Sequence, residues 1–92
     1  MGEVIDVEAE LLKDNPDISQ TVIVLAADAL RIYTKAAANV AQYGTIVQHP
    51  RTGSPLENPY LKIMDGKAIL LLKMQHVKTD RVFAMLKASV VD

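Results

Sequence analysis

The stretch NPDISQTVIVLAADALRIYTKAAANVAQYG, residues 15–44, decides the fold. Apolar side chains recur at Ile18, Val22, Leu25, Ala29, Ile32 or Tyr33, Ala36 and Val40, in steps of three and four. That is the period of an α-helix with one apolar stripe. Asn15-Pro16 looks like a start, because Asn caps a helix and Pro fits its first turn. Gly44 looks like a stop. A helix over residues 16–43 would be roughly 42 Å long at 1.5 Å per residue. A domain of this size has a radius of gyration of only about 13 Å. The rod is therefore expected to overhang its own chain.

Its greasy surface is also broad. Val22-Ile23-Val24-Leu25 covers most of a turn, and Ala36-Ala37-Ala38 with Ala41 makes a flat face for close helix approach. Two readings follow: a central helix buried by the rest of the chain, or a rod whose surplus face is covered by another copy. The length mismatch favours the second. The expected oligomer interface is Val22, Leu25, Ala29, Ile32, Ala36 and Val40.

Outward from the rod, residues 44–58 lack helical periodicity. Thr45-Ile46-Val47-Gln48 has strand propensity, Pro50-Arg51-Thr52-Gly53 suits a β-turn, and Ser54-Pro55-Leu56 would return as a second strand. Asn58-Pro59 repeats the cap-and-proline pair. A second helix is expected over residues 59–74, with Tyr60, Ile63, Met64, Lys67, Leu70, Leu71 and Met74 on one face. Gly66 inside it costs about 1 kcal/mol relative to Ala, and close packing on the alanine face would explain it. Thr79 is a good N-cap for a short last helix, with Asp80 at its positive end and Val82, Phe83 and Leu86 as its stripe.

The expected fold is thus mainly all-α: a long central helix, a short hairpin-like extended segment and two further helices. Its 92 residues make one small domain. Residues 15–92 would form the helical domain. Residues 1–14 would be an acidic arm, either weakly helical or disordered. Residues 1–17 carry six carboxylates against Lys13, and residues 18–92 carry nine Lys and Arg against five carboxylates. The arm would be a solvated tail, or a mobile segment that shields the basic body or binds a basic partner.

Composition narrows the function. Half the residues are apolar and 4% aromatic, so the core is aliphatic. With no Cys, disulfide and thiolate chemistry are excluded. The acidic start does not fit a secretory signal, and no apolar run approaches the ~20 residues of a membrane helix. A soluble, cytoplasmic, non-membrane protein is expected. Ser19, Ser54 and Ser89 lie in no nucleophile elbow. His49 and His76 have no carboxylates at metal-ligand spacing. Asp28 is read as a surface partner of Arg31, three residues on. No enzyme, metal or other cofactor is expected; a catalytic reading would need Arg31, Lys35 and Lys67 to meet in a pocket.

The cations say more. Arg51, Lys62, Lys73, Lys78, Arg81 and Lys87 would either decorate a solvated surface or contact phosphates. One copy would bind DNA weakly, whereas a ring of copies would multiply the contacts.

Residues 30–81 resemble a family of phage terminase small subunits. The landmarks are Tyr43-Gly44, then Pro50-Arg51-Thr52-Gly53, then Glu57-Asn58-Pro59-Tyr60, then Thr79-Asp80-Arg81. In that family a helix ends at a glycine, a short hairpin follows, and Asn-Pro opens the next helix. Where the family has Leu-Gly-Leu-Thr-Pro, this chain has His76-Val77-Lys78-Thr79-Asp80. The resemblance implies a non-enzymatic DNA-packaging factor of the host-cell cytoplasm. It would bind double-stranded viral DNA as a homo-oligomer and regulate the terminase large subunit, an ATPase-nuclease. The competing reading is a helical interaction module of phage or plasmid origin that does not bind DNA.

Overall fold

In a computed structural model, which describes residues 5–90, the long rod is helix α2, Gln20–Tyr43. It has 24 residues, roughly 36 Å at 1.5 Å per residue. The expected start at Asn15-Pro16 is displaced. Ser19 is the N-cap, and its Oγ accepts from the Val22 N–H at 3.4 Å.

Asn15 instead closes an earlier helix, α1, Val7–Asp14. Its buried side chain donates to Leu11 O (2.9 Å) and Lys78 O (2.9 Å), and accepts from Lys78 N (2.7 Å). A cap was expected from the dipeptide. A tertiary tether was found, because Lys78 offers both a donor and an acceptor that would otherwise be unpaired.

Helix α1 is therefore packed into the core, so the described part of the acidic segment belongs to the same domain as residues 15–90. Asp6 caps α1, accepting from Ala9 N at 3.1 Å. Val7 and Leu11, four residues apart on one face, are completely buried. Burying two such side chains stabilises the fold by about 3–6 kcal/mol before entropy is counted. Met1–Val4 of that segment lie outside the described residues.

Beyond α2 come β1, Ile46–Gln48, and β2, Pro55–Glu57. They pair antiparallel with Val47 opposite Leu56. The turn between them is wider than the expected four-residue one. His49 O accepts from Gly53 N at 2.8 Å, and His49 N donates to Ser54 O at 2.8 Å. Gly53 takes a positive φ of 71° there.

Helix α3, Pro59–Lys73, begins at the predicted Asn-Pro, with Asn58 as N-cap. Gly66 does not serve a close approach: a Cβ there would meet nothing within 4 Å. Helix α4, Asp80–Val90, follows Thr79, whose carbonyl accepts from Phe83 N at 2.8 Å.

The core gathers around the N-terminal half of α2. Ile23, Ala26, Ala27 and Leu30 meet Val7 and Leu11 of α1, Val77, and Val82 and Leu86 of α4. Helix α3 packs along α2 but has no buried residue of its own. The C-terminal half of α2, the hairpin and the first turns of α3 thus extend away from a core at the other end, which α3 reaches with Leu71. The molecule measures 51 × 31 × 17 Å, and its radius of gyration is 15.1 Å. Among the described residues, no helix is long and apolar enough to cross a membrane.

Candidate nucleic-acid interface

The hairpin is built to project. Gly44 ends α2 at φ 84°, ψ 178°, a region open in practice to glycine alone. Asn58 then ties three elements together. Its Nδ2 donates to Asn39 Oδ1 and to Gly44 O, both at 2.9 Å, while its Oδ1 accepts from Tyr60 N at 3.0 Å. Its backbone N–H donates to Thr45 O at 2.7 Å. The side chain is buried and fully used, so the end of α2, the base of the ribbon and the start of α3 are fixed together.

At the tip, His49 Nδ1 accepts from Arg51 N at 3.1 Å, and Thr52 Oγ1 accepts from Ser54 N at 3.2 Å. These bonds order the turn that carries the exposed Arg51. Lys62, in the first turns of α3, is exposed near the same end of the molecule.

The other predicted cations lie elsewhere. Lys73 is in the last turn of α3, roughly 17 Å along the helix from Lys62. Lys78 is exposed in the connection to α4, its backbone held by Asn15. Lys87, near the end of α4, places Nζ 5.4 Å from the centroid of the Phe83 ring. Phe83 in turn meets Tyr33 edge to face at 5.8 Å. The predicted set is therefore spread over the hairpin turn, both ends of α3, the connection to α4 and α4 itself.

Arg81 is committed inside the chain. Its Nε donates to Asp14 Oδ2 (3.0 Å) and Oδ1 (3.2 Å), Nη1 to Glu10 Oε1 (3.0 Å) and Nη2 to Glu10 O (2.9 Å). A guanidinium with its fork so occupied staples α4 to α1 and has little left for a phosphate. Lys13 also donates to Glu10, at 2.9 Å. The bonds from Lys13 and then Arg81 hold the Glu10 carboxyl below its ordinary value. The acidic helix thus pairs with the basic body, and Glu8 adds a long contact to Arg31 at 3.9 Å. Arg31 was expected to pair with Asp28; it reaches α1 instead.

The expected oligomer stripe divides as well. Ala29 and Ala36 are buried within the chain. They lie outside the cluster made with α1 and α4, on the flank that the returning α3 covers. Val22, Ile32 and Val40 are half-buried, and Leu25 is 50% exposed. The uncovered apolar side chains are found in other places too: Tyr43 and Ile46 at the hairpin base, and Ile63, Ile69 and Leu72 on α3.

Spacing in the sequence did not reveal one feature, a groove of ≈ 590 Å³ lined by Tyr33, Thr34, Ala37, Ala38, Ala41, Gln42, Phe83 and Lys87. It continues the core-facing side of α2 past the point where α4 stops covering it. The alanine run was its one visible sign.

Arg31 and Lys35 flank a smaller recess of ≈ 140 Å³ whose lining does not include Lys67. Ser19 is a helix cap, and the Ser89 hydroxyl donates to Leu86 O at 2.9 Å. Among the described residues, no group of three or more His, Asp or Glu could hold a metal ion. No protein-family model, curated protein or solved structure matches this chain.

Proposed function

We propose that the chain is a non-enzymatic DNA-packaging factor of the terminase-small-subunit kind, acting as a homo-oligomer on double-stranded DNA. One observation carries the reading. Residues 43–60, which hold three of the four landmarks of the resemblance, fold as an ordered ribbon between two helices, bracketed by Gly44 and Asn58 and tipped by Arg51. The elongated molecule and the apolar side chains left open on α3 support self-association. In an assembly, Arg51 and Lys62 of each copy would recur around one duplex, so that weak single contacts add. Regulation of the large ATPase-nuclease subunit belongs to the same proposal and rests on the resemblance.

A gel shift with duplex DNA at low salt, followed by a salt titration, tests it. Affinity should fall steeply with salt. Arg51→Glu should weaken binding about tenfold or more in an assembly. A protein that gives no shift at high concentration and low salt is not a DNA-packaging factor of this kind.

The second reading is an interaction module that ignores nucleic acid. The internal commitment of Arg81 favours it, because it takes one of six predicted phosphate contacts out of play. Retained self-association or partner binding with no salt-sensitive shift would select it.

A further inference from the structure

We propose that the groove between α2 and α4 is the socket for α3 of a second copy of this chain, entered by the stripe Asp65, Ile69 and Leu72. The proposal rests on the self-association reading and names its two surfaces. The groove is lined by the touching rings of Tyr33 and Phe83 and by Ala37, Ala38 and Ala41, with Lys87 as its only charged lining residue. Alanines there let a helix backbone approach closely and leave room for large aliphatic side chains beside the Tyr33–Phe83 pair.

Helix α3 offers such a stripe. Positions 65, 69 and 72 recur in steps of four and three, on one helix face. Ile69 is 56% exposed and Leu72 64%, the two most open large aliphatic side chains on α3. Asp65 is the only acidic residue of that helix. One cation at the groove thus faces one anion on the stripe, and the apolar groups of the groove are only half covered by their own chain while Ile69 and Leu72 stand open.

The two surfaces are different patches, so the contact is heterologous. Each copy keeps one socket and one stripe free for the next, which closes into a ring or runs on as a filament.

Assembly in the absence of nucleic acid tests the interface, with light scattering as the readout. Asp65→Lys and Lys87→Glu should each raise the apparent dissociation constant about tenfold or more through like-charge contact. The double variant should restore it, as should mixing the two single variants, whose sockets and stripes then alternate in sign. Circular dichroism checks that each variant is folded. The chain has no Cys, so trapping has no background. On mild oxidation, Ala38→Cys and Ile69→Cys in one chain should yield a series of covalent multimers. The same two cysteines on separate chains should yield only mixed dimers.

Disulfide dimers of the Ala38→Cys variant alone would mean groove against groove and would overturn the proposal. Assembly that persists unchanged in both charge-reversed variants would overturn this interface and leave self-association standing. A wild-type protein that is monomeric at high concentration would remove both.

Discussion

Asn15 and Asn58 sit in the same Asn-Pro dipeptide and take opposite places, one closing a helix and the other opening one. Local chemistry is equal in the two; what differs is which backbone groups the fold brings within reach. For Asn15 these are the N–H and C=O of Lys78, 63 residues away. Asn15→Ala strands both. An unpaired buried polar group costs about 1–3 kcal/mol. At about 4–8 °C per kcal/mol for a domain of this size, even one such group should lower the thermal midpoint by roughly 4–24 °C, as read by circular dichroism.

Glu10 supplies a pH signature at the same scale. Its folded value lies below the ordinary 4.5, through Lys13 and Arg81. Its contribution is thus fully present above the ordinary value and is lost as pH falls through the lowered one. Unfolding midpoints followed downward from neutral pH should drop across that window. In Glu10→Gln the drop should be shallower, because that carboxylate no longer titrates.

Among the helices, α3 is the least covered. It has no buried residue, and Gly66 in its middle touches nothing. Gly66→Ala should therefore stabilise the protein by about 0.5–1 kcal/mol through helix propensity alone. Denaturant melts of the two proteins give the difference directly. A loss of stability would mean that an unseen neighbour needs the space. The ribbon belongs to this scale too. Two three-residue strands are marginal in water, and this pair persists because Asn58 and Gly44 fix its base to two helices.

Across the whole molecule, the acidic N-terminal segment is a structural part. Leu11 is completely buried against α2 and α4 elements of the core. Leu11→Ala should cost about 2–5 kcal/mol, a large share of the 5–15 kcal/mol that keeps a typical domain folded. Urea denaturation measures it. A detachable arm would leave the midpoint unmoved.

Helices α2, α3 and α4, their order and the ribbon were legible in the sequence because each depends on neighbours within a few residues: a period of 3.6, a glycine that can take positive φ, a proline in a first turn. The end of the long rod, the opening of α3 at Asn58 and the start of α4 after Thr79 all follow from such local terms. Tertiary structure alone decided where α1 docks, that Arg81 turns inward to Glu10 and Asp14, and that Ala29 and Ala36 lie beneath a returning helix while Ala37 and Ala41 line a groove. Helical period says which residues share a face. It does not say which of several apolar faces the chain covers, because that choice is settled by contacts between residues far apart in sequence. For the same reason a lysine or arginine shows its charge in the sequence, but its partner only in the fold.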